Sequence, residues 1–361
     1  MGLEMLASGR HKYILEQLRL HGRVKATEIA QALSVSEITV RRDLNELHES
    51  KQLNRIHGGA VRLGSMDPGH NRQLLVGILV PGSTYYFPEV IKGMEMMAER
   101  LNVRLVLGIS SSIDAETAHL RRMLDLGVEG ILATTVVGDD HAAEVGSWLN
   151  DLQIPAVLVE RSFGYPHLRD ELDHVRSDHA YGAALAIRHL HELGHRSMSV
   201  ALAPTPTSYW LARGASEAME LLGLDAKLPV FRFPRVATGV AHAAVDQLLN
   251  DVLTGGVTGV FVHNDTHASA LVDAALARGV RVPEDLSVIA YDDVVANLAA
   301  VPLTAVGPPK HTVGALALEQ LVRRLGYPAE RRGTVAHLSL IPELNVRHST
   351  SAPGVAISTT Q

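Results

Sequence analysis

Apolar positions along the chain fall into two textures. In the first 63 residues they recur at helical spacing: Ile14, Leu15 and Leu18 share one face, and Gly22 ends that helix. Thr27 to Leu33 makes a second short helix, and Val40, Leu44 and Leu47 at i, i+4 and i+7 form the buried seam of a third. Ser36 is placed to N-cap the third helix after the tight turn that follows Leu33. Residues 52–62 read as a short hairpin with glycines at its bend, so residues 1–63 are expected to form a winged helix-turn-helix.

From residue 74 onward the apolar residues come in short continuous runs, at 74–80, 103–107, 130–133, 156–159, 197–202, 258–262 and 286–290, alternating with helical segments. Runs of this kind are buried on both faces, the signature of parallel α/β sheets. The stretch is too long for one ordinary sheet, which predicts two doubly wound subdomains with a cleft between them. The expected α/β organisation is a small winged head (1–63), a linker rich in turn formers (64–73), and a ligand-binding region (74–348). Its first subdomain would hold 74–174 and 305–328, its second 175–304 and 329–348. A Ser/Thr/Pro/Gly-rich tail (349–361) is expected to be disordered.

Composition narrows the function. The 361 residues include no cysteine, which excludes disulfides, thiolate metal sites and cysteine nucleophiles and fits a reducing compartment. No apolar run is long enough to span a bilayer, and the start carries an acid with no basic flank, so a cytoplasmic protein is expected. A net charge of −6 argues against nucleic acid until it is divided: residues 1–73 carry +3 and the remainder −9. Only the head can attract phosphate.

At this point the residues resemble two families. Residues 10–63, with Arg41-Arg42-Asp43-Leu44 and the closing His57-Gly58-Gly59-Ala60-Val61, resemble the DNA-binding head of DeoR-type transcriptional regulators. Residues 74–348 resemble the periplasmic-binding-protein-like, sugar-sensing domain of LacI-type regulators. The resemblance lies in Gly77-Ile78-Leu79-Val80-Pro81, Leu193-Gly194-His195-Arg196, Val282-Pro283-Glu284-Asp285-Leu286 and Tyr291-Asp292-Asp293, in that order. It implies a ligand-responsive regulator, a repressor of carbohydrate uptake or breakdown genes, that binds double-stranded operator DNA. The isomerase-like effector domain usual in DeoR-type proteins is absent, and the linker lacks the LacI-type hinge helix.

In the head, the third helix presents Ile38, Arg42 and Asn45 opposite its apolar seam, with Thr39 and Arg41 flanking, the face a major groove would meet. Arginine can bond guanine O6 and N7 together, whereas Lys25, Ser34, Ser36 and the wing residue Arg55 suit phosphate oxygens. Glu37 either faces DNA or pairs with Arg41 at i+4, and His57 either touches phosphate or serves the wing turn. One head reads few base pairs, so a homodimer on repeated half-sites is expected.

Ligands of doubly wound sheets bind beyond the carboxyl ends of strands. Five of the chain's 15 aromatics stand in two such loops, Tyr85, Tyr86 and Phe87, then Tyr209 and Trp210, a platform suited to a sugar ring or base. Glu160, Arg161, Asn264, Asp265 and Asp292 follow other strands and can engage vicinal hydroxyls. The LacI-type resemblance gives Asn264, Asp265 and Asp292 sugar-contacting positions, while Asp265 alternatively caps a helix. The same resemblance places that family's ligand-contacting arginine at Tyr209, if Gly214 is the helix glycine. A neutral sugar or nucleoside is the expected effector, with a sugar phosphate as the alternative.

An enzyme is not expected: hydrolase elbows, zinc-protease and phosphate-loop motifs are lacking, leaving only Glu160 and Asp292 as a conceivable glycosidase pair. No cofactor or metal is expected either, since His189, His191 and His195 are poorly spaced for chelation and Gly194 interrupts their helix.

Overall fold

The structure, a computed structural model, describes residues 7–50, 52–56, 58–62, 73–136, 152–162, 172–224, 228–236, 239–326 and 334–354. It divides into two compact units, Met1–Leu74 with Arg323–Arg332, and Leu75–Val322 with Gly333–Gln361.

The head comprises helices α1 (Ala7–His21), α2 (Ala26–Leu33) and α3 (Glu37–Glu49) with strands β1 (Arg23–Lys25), β2 (Leu53–Ile56) and β3 (Gly59–Arg62). Ile14, Leu18, Val40, Leu44, Leu47 and Leu53 are its buried core, so the helical spacing identified the seam correctly. Ser36 caps α3 by accepting a hydrogen bond from the Thr39 N–H at 3.2 Å. The wing is a three-stranded antiparallel sheet, β1-β3-β2, rather than a bare hairpin. Its extra strand was hidden because three residues between two helices carry no periodicity. Asp43 is buried and takes Arg10 Nε and Nη2 at 2.7 and 2.9 Å, so this carboxylate locks α1 to α3.

The larger unit contains two six-stranded sheets. The first has the order β14-β8-β7-β6-β4-β5, built from β4 (Leu74–Val80), β5 (Val103–Ile109), β6 (Gly130–Ala133), β7 (Ala156–Val159), β8 (Asp173–Ser177) and β14 (His337–Leu340). The second has the order β10-β9-β11-β12-β13-β15, built from β9 (Met198–Leu202), β10 (Val230–Arg232), β11 (Gly259–His263), β12 (Ser287–Tyr291), β13 (Thr304–Gly307) and β15 (Glu343–Asn345). All seven apolar runs became strands. Helices α4 (Phe87–Leu101), α5 (Ile113–Asp125), α6 (His179–Glu192), α7 (Thr207–Leu221), α8 (His242–Thr254), α9 (Asp265–Ala277) and α10 (Lys310–Leu325) intervene. The second sheet is parallel except for β15, which runs antiparallel to β13.

Three boundaries differ from expectation. Strands β8 and β14 complete the first sheet and β13 belongs to the second, so the chain crosses between halves near residues 178, 308 and 341. Strand β8 was invisible to hydropathy because Asp173-His174-Val175-Arg176-Ser177 is polar. Its buried Asp173 accepts from Gln320 Nε2 at 3.0 Å and Ala336 N–H at 2.6 Å, which makes that burial tolerable. The tail, expected to be disordered from 349, is instead a strap as far as Gly354. Ser349 is fully buried, donates to the Val288 carbonyl at 2.5 Å and accepts from Thr304 N–H at 2.8 Å, and His195 Nε2 lies 2.9 Å from the Ser351 carbonyl. Short hydroxyl side chains serve here as ladder partners, a role composition cannot show. The linker at 64–72 and tail residues 355–361 lie outside the described residues.

Candidate functional site

In the head, α3 offers an exposed face. Ile38 is 80% exposed, and Arg41, Arg42 and Asn45 are exposed beside it. Arg41 pairs with Glu37 at 3.0 Å and Arg42 with Glu46 at 3.2 Å. Both are solvated i, i+4 pairs worth about 0.5 kcal/mol, easily exchanged for a phosphate or base edge. Lys25 is likewise held by Glu28 at 3.0 Å. Thr39 and Ser36 join hydroxyl to hydroxyl at 2.9 Å, and Ser34 adopts a left-handed conformation in the turn at φ 52°. Arg55 departs from a simple phosphate contact: its Nη1 donates to the Arg41 carbonyl at 2.9 Å, tying the wing to α3. His57 lies outside the described residues.

Two substitutions separate these roles. Arg42→Ala is expected to relax specificity at one or two base positions, whereas Arg55→Ala weakens binding to every sequence and lowers the salt slope by about one. Anisotropy titrations at several salt concentrations would read both, and equal, salt-independent losses would show the faces to be misassigned.

In the larger unit a cavity of about 360 Å³ opens at the carboxyl ends of the strands. Tyr85, Tyr86 and Phe87 form one wall with Glu160 and Arg161, while Asn264, Asp292 and the turn Pro204–Thr207 form the other. Glu160 is buried and saturated: Tyr86 Oη donates to it at 2.7 Å, Ser177 Oγ and N–H at 2.8 Å, and His179 Nε2 stands 3.4 Å away. Burial alone would raise its pKa, but His179, Ser177 and Tyr86 outweigh that and bring it to about 2. Arg161 is anchored by Nε on the Thr135 carbonyl and Nη1 on the Glu160 carbonyl, both at 2.8 Å. Asn264 caps α9, its Oδ1 accepting from Thr266 and His267 N–H at 3.2 and 3.4 Å, which leaves its amide nitrogen as the group to turn toward a ligand.

Asp292 is the unusual acid. Burial, then the neighbouring Asp265, push its pKa up to about 7, against the opposing pull of Lys310. Because the folded value lies above the ordinary one of 3.8, this group's contribution to stability is full below pH 3.8 and lost as pH rises through 7. Asp292→Asn, which mimics the neutral acid, is therefore expected to be the more stable protein by about 4 kcal/mol at pH 8 and equal to the parent near pH 4. Urea denaturation at pH 4, 6 and 8 checks this, and parallel stability curves would refute it.

Three expected contacts are absent from the cavity wall. Tyr209 is 52% exposed and lies edge-on to Trp210, and Trp210 stacks beneath Arg176, whose guanidinium carbon is 4.6 Å from the ring centre. The turn before α7 and its first residue, Thr207, face the cavity, and by the third and fourth residues of the helix the side chains have rotated away. Asp265 is fully buried, and its carboxylate accepts from the N–H groups of Asp293 (3.2 Å), Val294 (2.6 Å) and Val295 (2.9 Å). It is the brace of the Asp292 loop, not a lining residue. Conversely His179, His263 and Arg235 line the cavity without having been singled out. His263 is buried, its Nδ1 has no hydrogen-bond partner, and burial followed by His179 and His267 lowers its pKa to about 3, so the imidazole is neutral. Histidine within an apolar strand end reads as core, which concealed it.

The DeoR-like helix-turn-helix domain model matches residues 10–65, and the periplasmic binding protein-like domain model matches residues 187–350. An HTH-type transcriptional regulator of Streptomyces limosus, from the aml 5′ region, is 30% identical over 344 residues, covering 91% of this chain and 94% of that protein. This chain belongs to the LacI family of transcriptional regulators. Its winged DeoR-like head makes it a DNA-binding regulator of mixed construction, and its second unit is the effector-binding domain. The transcriptional repressor PurR of Vibrio cholerae (strain M66-2) is 27% identical over 351 residues, covering 94% of this chain and 99% of that one. The fold is shared with a LacI family regulator of Enterococcus faecium with bound ribose, at TM-score 0.61 and 24% identity over 77% of this chain and 99% of that one. Among the described residues no helix is long and apolar enough to cross a membrane.

Proposed function

We propose that this LacI-type regulator is a cytoplasmic homodimeric repressor of carbohydrate uptake or breakdown genes, controlled by a neutral polyhydroxylated ligand in the 360 Å³ cavity. The observation that carries the ligand class is the pairing of an aromatic wall, Tyr85 to Phe87, with two buried carboxyl groups, Glu160 and Asp292. Rings stack on apolar faces, the Asp292 carboxyl and the Asn264 amide can engage vicinal hydroxyls, and a phosphate would stand beside the ionised Glu160. The ribose bound to the Enterococcus relative and the repressor activity named for the Vibrio relative support the reading. Arg161 and Arg235 also line the cavity, which keeps phosphorylated sugars in the test.

A thermal-shift screen of sugars, nucleosides and their phosphates is the experiment. A neutral sugar or nucleoside at 100 times its dissociation constant should add about 2.7 kcal/mol of stability. A shift confined to phosphorylated sugars would overturn the ligand class. Light scattering that reported a monomer both free and on DNA would overturn the dimer.

A further inference from the structure

Two adjacent tyrosines serve opposite halves of the effector domain. Tyr86 donates to Glu160 within its own half at 2.7 Å. Tyr85, one residue earlier on the turn after β4, points the other way: its hydroxyl accepts from the Asp265 N–H at 3.3 Å, on the second half, and it shares the cavity wall with Asp292 of that half. The divergence is made by the backbone, because Tyr85 sits at φ 62°, a left-handed conformation that bulky L-residues seldom adopt. A strained aromatic needs a compensating contact, and the hydrogen bond that the phenol accepts from the second half supplies one.

We propose that Tyr85 is a built-in strut that holds the two halves of the effector domain closed before any ligand arrives. The proposal rests on the effector-cleft reading only for its consequence, not for its geometry. The cavity keeps about 360 Å³ with the strut in place, so Tyr85 does not occupy the ligand's volume. Closure and ligand binding are therefore compatible. A ligand entering a domain already closed is spared the work of closing it, and its apparent dissociation constant is divided by the closed fraction. A second tether acts in the same sense, since Lys310, the first residue of α10, donates Nζ to the Asp292 carbonyl. Removing the Tyr85 hydroxyl alone therefore shifts the balance without abolishing closure.

The absence of cysteine makes the test direct. Arg121→Cys on α5 and Asp273→Cys on α9 place exposed labels on the two halves, and single-molecule energy transfer reads the distance between them without ligand. The parent should populate one short distance. Tyr85→Phe, which keeps the ring, should add a longer-distance population and lower the closed-to-open ratio about tenfold. An unliganded parent found mainly at the longer distance would overturn the proposal whatever the variant does, as would a Tyr85→Phe distribution identical to the parent's. Because both readings are made without ligand, a ligand screen that fails leaves this result standing, and a strut that fails leaves the ligand screen standing.

Discussion

Asp265→Ala is expected to lower the stability of the effector domain by about 3 kcal/mol and to abolish its response to ligand, although the side chain does not line the cavity. Three backbone N–H groups, those of Asp293, Val294 and Val295, lose their acceptor at once. Each buried donor left unsatisfied costs about 1 to 3 kcal/mol, partly offset by water and by relief of the buried charge itself. That buried charge is not negligible: burial, outweighing the three donors, raises the Asp265 pKa. The loop it braces carries Asp292 at φ 100° and Asp293 at φ 48°, both in left-handed territory that the chain would leave if released. Urea unfolding and calorimetric titration with the effector are the measurements. A change below about 0.5 kcal/mol, with ligand binding intact, would return Asp265 to the status of an ordinary helix-end acid.

The second large effect belongs to the head. Gly59→Ala should abolish operator binding, by at least a hundredfold, while leaving ligand-induced stabilisation of the effector domain unchanged. A methyl group on Gly59 would stand 2.0 Å from the Val24 carbonyl oxygen and 3.1 Å from Lys25 Cα. Both are backbone atoms, so no rotamer change can relieve the clash, and β3 must leave β1. The wing then loses its anchor, and with it the register of Arg55 on α3. Anisotropy reads the DNA arm and thermal shift the ligand arm. Retained operator affinity would show that the wing adds little to DNA binding.

The head was the most legible part of the sequence. Its seam of Val40, Leu44 and Leu47 has one periodic solution, and Ser36 announces the start of α3. The seven branched apolar runs were equally plain, because strands buried on both faces leave no polar alternation to misread. What escaped was polar material in buried places. Strand β8 and the 349–354 strap are held by side-chain hydrogen bonds to partners more than 40 positions away along the chain, Gln320 for Asp173 and Val288 for Ser349. Within the cavity, strand ends named the right neighbourhood, and Glu160, Arg161, Asn264 and Asp292 do line it. Whether a given side chain turns inward is decided by one residue of helix rotation, and that step misplaced Tyr209 and Trp210. Asp265 shows the same ambiguity in another form: a carboxylate after a strand can face a ligand or its own backbone, and here three N–H donors claimed it.

On the proposed function, occupancy of the Asp292 cavity controls DNA binding by the α3 face. The most direct measurement is operator affinity, on a duplex recovered by selection from a random library, titrated with and without the ligand that passes the thermal-shift screen. The expected result is at least a fivefold change in operator affinity, a matching change in ligand affinity when DNA is bound, and loss of both in Asp292→Ala, which still binds the operator. Operator affinity that is identical with and without saturating ligand would contradict it.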